Sequence, residues 1–120
     1  MILAITSMGK DLKSGIDQRF GRAKYIILYN TDDSSFECHD NNLNLNAPQG
    51  AGIQTAQNIV DEGANVVITG NLGPKAFIVL NTANVKTFWS KDVTVEDAIQ
   101  SYMNNELQEL TNPNVQGHWS

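Results

Sequence analysis

Val66-Val67-Ile68-Thr69-Gly70-Asn71-Leu72-Gly73-Pro74-Lys75-Ala76 is the stretch on which the fold turns. An unbroken β-branched run reads as a strand buried in a parallel sheet, and a proline just past two glycines reads as the first residue of a helix. The loop between them therefore ends on an open helix N-terminus, where unpaired N–H groups favour an anion. Gly70 and Gly73 let the backbone approach such a ligand. Lys75 falls in the first turn, where a cation opposes the helix dipole and calls for a counter-anion. A plain strand-to-helix turn with Lys75 in water is the competing reading of these residues taken alone.

Working outward, Ala51 to Glu62 reads as a helix with Ile53, Ala56, Ile59 and Val60 on one face and Gly63 past its end. The helix from Pro74 runs to about Thr82, and Val85 to Phe88 follows as a strand. A last helix begins at Thr94, whose side chain forms with Asp97 a pattern like a capping box. Towards the N-terminus, Ile2 to Thr6 is an apolar strand, Ser7 to Gly21 a long polar loop, and Tyr25–Tyr29 with Phe36–Asp40 a hairpin turning at Thr31–Ser34. This element order specifies an α/β, ribonuclease H-like three-layer domain. Its mixed five-stranded sheet has the order 3-2-1-4-5, with strand 2 antiparallel and helices on both faces. Residues 1–110 are expected to form one domain and 111–120 a flexible tail.

The 120 residues, 41% hydrophobic and 18% charged, suit one ordinary globular domain. No apolar stretch approaches the ~18 residues of a membrane span, and the opening Met1-Ile2-Leu3-Ala4-Ile5 lacks the features of a signal peptide, so a cytoplasmic protein without membrane contact is expected. The single cysteine, Cys38, excludes an internal disulfide and a four-thiolate metal framework. A net charge of −5 argues against nucleic acid as partner.

The predicted topology brings the loop after the first strand, the approach to the second, and the exits of strands three, four and five to one sheet edge, as in ligand sites of open α/β sheets. Lys10, Lys13, Arg19, Arg22, Lys24, Lys75 and Lys91 fall there against Asp11, Asp17, Asp40 and Asp92, a local charge of +3. The rest of the chain carries −8, with Lys86 its lone cation. The helix starts near Gly50-Ala51-Gly52 and at Pro74 open onto the same rim, each contributing ~0.3–1 kcal/mol towards an anion.

Single residues each carry two readings. Alternation along the third strand turns Cys38 and Phe36 inward, where the thiol acts as a small inert hydrophobe, and turns His39 to the opposite face, for metal contact or solvation. Met8 offers a thioether to a soft metal such as copper, or packs its loop. Phe20 is expected to anchor its loop. Catalysis finds little support: the first strand lacks the carboxylate of two-metal nucleases, no serine or cysteine has an evident histidine base, and Gly73-Pro74-Lys75-Ala76 lacks the spacing and hydroxyl of a nucleotide-binding loop.

Three segments, Asp17-Gln18-Arg19-Phe20-Gly21-Arg22-Ala23-Lys24-Tyr25, Gly50-Ala51-Gly52-Ile53-Gln54 and Gly70-Asn71-Leu72-Gly73-Pro74-Lys75-Ala76-Phe77, together resemble the dinitrogenase iron–molybdenum cofactor biosynthesis family, which includes NifX-like proteins and the C-terminal domain of NifB. The resemblance runs from Met1 to about Leu110. It implies a ribonuclease H-like fold that carries metal–sulfur clusters, and the stand-alone length is most similar to members that bind a molybdenum–copper sulfide cluster non-covalently. Where family members often have His-Phe-Gly, this chain has Arg19-Phe20-Gly21, and an arginine pairs with an anion instead of ligating a metal. The expected function is thus a non-catalytic carrier of an anionic, molybdenum-containing cluster. Arg19, Arg22 and Lys75 would neutralise it, while Gly50, Gly52, Gly70, Asn71 and Gly73 would donate hydrogen bonds, with His39 and Met8 as candidate metal contacts. A protein donor or acceptor of the cluster is the implied partner. The alternative is a regulatory module that binds a phosphorylated or carboxylated metabolite at the same rim.

Overall fold

The computed structural model describes residues 1–41 and 50–115. Six strands and three helices follow in the order β1 (Ile2–Ser7), β2 (Tyr25–Asn30), β3 (Phe36–Asp40), α1 (Ala51–Asp61), β4 (Val66–Thr69), α2 (Pro74–Thr82), β5 (Lys86–Trp89), α3 (Val95–Met103) and β6 (Gln108–Leu110). They form one sheet with strand order β3-β2-β1-β4-β5-β6. β1, β4 and β5 are mutually parallel, and β2 runs antiparallel to both β1 and β3. The expected order 3-2-1-4-5 is present, but five strands is one too few.

The sixth strand pairs antiparallel with β5, Gln108 opposite Trp89 and Leu110 opposite Thr87. It exists because α3 stops early. Asn104 closes the helix and Asn105 takes φ of 59°, a left-handed turn that asparagine tolerates. Gly63 and Asn84 end α1 and α2 in the same way, at φ of 81° and 61°.

Helices cover both faces. α1 and α2 lie together on one side, burying Ala56, Ile59, Ala76 and Leu80 against Ala4, Ile26, Leu28 and Val67 of the sheet, with Phe20 in the same core. α3 covers the other side, where Val95, Ala98 and Ile99 pack on Leu3, Ile5, Ile27, Val66 and Ile68. Phe36 departs from the inward expectation. It is 41% exposed on an edge strand, whereas Cys38 is half-buried against the α3-side core. Among the described residues no helix is long and apolar enough to cross a membrane.

Candidate functional site

Alternate β1 residues fill the two cores, and its last turn-facing hydroxyl starts the site. Thr6, 1% exposed, donates to the carbonyl oxygen of Asp17 at 2.7 Å and shares a 2.8 Å hydrogen bond with the Thr69 hydroxyl at the end of β4. The 17–24 loop is thereby fastened across the ends of two parallel strands. Asp17 then closes the loop on itself. Its carboxylate, 3% exposed, accepts from the Arg19 amide at 3.1 Å and the Lys24 amide at 3.2 Å, and lies 3.5 Å from the Arg19 Nε.

The three motif segments meet. The Phe20 amide donates to the Asn71 carbonyl at 3.1 Å, and the Asn71 amide donates to the Gln18 carbonyl at 2.5 Å. A β-carbon on Gly70 would lie 2.3 Å from the Gln18 Oε1 and 2.9 Å from its Cα, so only glycine lets these loops touch. On its other side the 17–24 loop presses Gly21 onto the first turn of α1, where a β-carbon would fall 2.6 Å from the Gly52 nitrogen. Phe20, 1% exposed, anchors the loop between the two contacts, in line with its expected role.

The three helix starts differ sharply. At α3, Thr94 accepts from the Asp97 amide at 3.1 Å, the Val95 and Glu96 amides donate to the Ser14 and Leu12 carbonyls, and Glu96 and Asp97 add negative charge to the first turn. That end is satisfied by the protein itself. α1 and α2 each begin after a glycine, Gly50 and Gly73, with no side-chain cap and no acid in the first turn. Among the described residues, the amides of Ala51, Gly52 and Ile53 on α1, and of Gly73, Lys75 and Ala76 at α2, meet no acceptor. Two neighbouring helix ends of this kind carry positive partial charge to one place.

The structure sorts the expected cations by face. Arg22 and Lys75 are exposed beside the α1 and α2 starts, with no acidic partner among the described residues. Arg19, 48% exposed, shares its charge with Asp17. Lys10 lies 5.8 Å from the Tyr25 ring centroid, and the loop carrying Lys10 and Lys13 is tied to the start of α3, on the other side of the sheet edge. Met8 belongs to that side too: its amide donates to Gly15, which bridges to Thr94, and the residue is 53% exposed.

His39 does face away from Cys38, but its ring is engaged far from the α1 start. Nε2 lies 3.2 Å from Glu37 Oε2, and Nδ1 lies 4.0 Å from Glu62 Oε1 at the C-terminal end of α1. Together with Ile26, Leu28 and Ile59, His39 and Glu62 line a cavity of about 250 Å³ there. Burial pushes the Cys38 thiol above its ordinary range, Lys10 pulling it the other way. Among the described residues no three histidine, cysteine, aspartate or glutamate side chains gather as a metal site.

Gln18 and Asn114 are site-shaping residues that sequence reasoning did not single out, and Asp17, counted there only as an acid of the rim, closes its loop. Asn114 lies in the segment expected to be a flexible tail. Its Oδ1 accepts from the Leu72 amide at 2.7 Å, its Nδ2 donates to the Gly70 carbonyl at 3.0 Å, and its own amide donates to the Leu72 carbonyl at 3.1 Å. Residues 116–120, including His118 and Trp119, lie outside the described residues.

Fold and site define a three-layer α/β domain whose strand-exit loops are locked together around two uncapped helix starts. The chain belongs to the dinitrogenase iron-molybdenum cofactor family, which matches residues 1–105. The apo form of the orange protein from Desulfovibrio gigas is similar, with 33% identity, 95% of this chain and 96% of that one covered, and a TM-score of 0.91. A NifB-like protein from Thermotoga shares 34% identity over 95% of this chain and 97% of its own, with a TM-score of 0.81. A dinitrogenase-like protein from Methanocaldococcus jannaschii, 21% identical with a TM-score of 0.71 over 94% and 97% of the two chains, shares the fold.

Proposed function

We propose that this protein is a non-catalytic carrier of an anionic, molybdenum-containing metal–sulfide cluster, with molybdenum–copper sulfide the favoured cargo. The reading is carried by the contrast between α3, whose start is fully capped, and α1 and α2, whose adjacent starts are left open beside Arg22 and Lys75. Similarity to the orange protein and to a NifB-like protein supports the class of cargo. A strand order of β3-β2-β1-β4-β5 supports a ribonuclease H-like description of the fold, with β6 as an addition.

The residues at hand fit a cluster that completes its own coordination. Cys38 packs in the α3-side core and His39 sits between Glu37 and Glu62, so among the described residues neither thiolate nor imidazole is offered at the α1 and α2 starts. Charge and hydrogen bonds are what the site has to give. Arg22 and Lys75 supply the former, Arg19 a share of it, and the amides near Gly50, Gly52 and Gly73 the latter. Gly70 and Asn71 act chiefly by holding the loop, since their backbone groups are used by Gln18, Phe20 and Asn114. One thiol with no disulfide partner suits a reducing cytoplasm, and a carrier there requires a protein that donates or accepts the cluster.

The test is reconstitution with copper(I) and tetrathiomolybdate, followed by gel filtration, visible spectroscopy and metal analysis. The wild-type protein is expected to retain a coloured species. Charged hydrogen bonds contribute about 1.5–3 kcal/mol each, so Arg22→Glu with Lys75→Glu lowers retention at least about tenfold while far-ultraviolet circular dichroism is unchanged. Equal occupancy in that variant overturns the assignment. A phosphorylated or carboxylated metabolite at the same rim would give a colourless complex, which separates the second reading.

A further inference from the structure

Residues 108–114 turn an otherwise open loop into a clamped one. β6 carries the chain along the outer edge of β5, Leu110 packs against the α1–α2 core, and Asn114 then reaches the Gly70–Leu72 loop with three hydrogen bonds. The opposite side of that loop is held by Gln18, whose carbonyl takes the Asn71 amide and whose side chain fills the space beside Gly70. Between them, Asn114 and the 18–20 segment occupy the amide and carbonyl of Asn71, those of Leu72 and the carbonyl of Gly70. The amides left without acceptors, at Gly73, Lys75 and Ala76, come immediately afterwards in the chain.

We propose that Asn114 is a positioning residue for the anion seat. By clasping the Gly70–Leu72 loop from outside, it fixes the direction in which the α2 start presents its amides. The inference rests on the carrier reading for its functional consequence, but the clasp itself is testable without cargo. Asn114 falls beyond residues 1–105, the stretch matched by the family, so the family pattern assigns it nothing. A side chain with one donor and one acceptor is required, because it must serve a carbonyl and an amide two residues apart. Alanine offers neither.

The experiment uses the full 120-residue chain as wild type, Asn114→Ala and Asn114→Asp. Amide hydrogen exchange of the metal-free proteins is followed by NMR, and release of a copper–tetrathiomolybdate cluster by decay of its visible absorption. For Asn114→Ala, exchange at Leu72 is expected to rise about tenfold while Ile5 and Ile68 stay protected, and cluster release to quicken by about the same factor. Asn114→Asp keeps an acceptor for Leu72 and loses the donor to Gly70, so its Leu72 exchange falls between the other two. Unchanged exchange at Leu72 in the alanine variant overturns the clasp. Faster exchange with unchanged cluster release overturns the positioning role. A wild-type protein that takes up no cluster, with exchange at Leu72 still dependent on Asn114, sinks the carrier reading and with it the role of the clasp there.

Discussion

Placing a methyl group on Gly21 tests the convergence of the loops directly. In Gly21→Ala the new carbon would sit 2.6 Å from the Gly52 nitrogen, 2.7 Å from its Cα and 3.2 Å from the Ala51 carbonyl carbon. All three are backbone atoms of the first turn of α1, so no flexible side-chain end can move aside. Either the 17–24 loop lifts or α1 shifts, and Phe20 at 1% and Ala51 at 6% exposure tie both to packed surroundings. Overpacking of this kind costs about 1–3 kcal/mol. A mid-range value of about 2 kcal/mol lowers Tm by roughly 6–12 °C in a domain of this size. Urea unfolding followed by circular dichroism measures it, with an unchanged m-value showing that stability alone has moved. Cluster retention should fall in parallel, since Arg22 is carried away from the α1 start. A variant within about 0.5 kcal/mol of wild type, the range of an ordinary surface change, would refute the contact and the meeting of motifs built on it.

Thr94→Ala should cost about 1 kcal/mol in urea unfolding by removing the α3 cap, yet leave cluster uptake untouched, because that helix start is not part of the seat. Iodoacetamide should alkylate Cys38 in the folded protein at pH 8 more slowly than in the urea-unfolded chain, and Lys10→Gln should slow it further, as the lysine opposes the burial that raises the thiol. The folded thiol keeps its proton to higher pH than the unfolded one, so this group withdraws stability as pH rises past the ordinary thiol range.

Periodic signals in the sequence translated well into structure. The β-branched Val66–Thr69 run, the hairpin and the helix starts at Ala51, Pro74 and Thr94 each announce themselves through several residues at once. β6 did not, because Gln108-Glu109-Leu110 is a three-residue edge strand with no alternation to read, and the stop before it depends on Asn105 adopting a left-handed turn. Glycines of the site were legible for a similar reason: Gly21 and Gly70 belong to recognisable segments. Their partners were not. Gln18 and Asn114 are single polar residues in loops, and what they hold lies 52 and 44 positions away in the chain, at Gly70. Counting charges at the sheet edge also overlooked that an edge has two sides. Lys10 and Lys13 travel with α3, and Asp17 takes up part of Arg19, so the cations beside the α1 and α2 starts reduce to fewer residues than topology alone suggested.

Phe20 has a consequence for how cargo could come and go. A phenyl ring so completely enclosed, on a residue that lies between Arg19 and Arg22 in the chain and whose backbone amide bonds to Asn71, makes the arginine loop an extension of the hydrophobic interior. Swinging it outward would expose that ring at a cost of about 1.5–3 kcal/mol, leaving under a tenth of molecules open at any instant. The 17–24 loop is therefore held in place on this flank. On the proposed carrier reading, such a flank would discriminate by dimensions and charge density, as a mould does, and a small compact polyanion would seat without any hinge having to close over it.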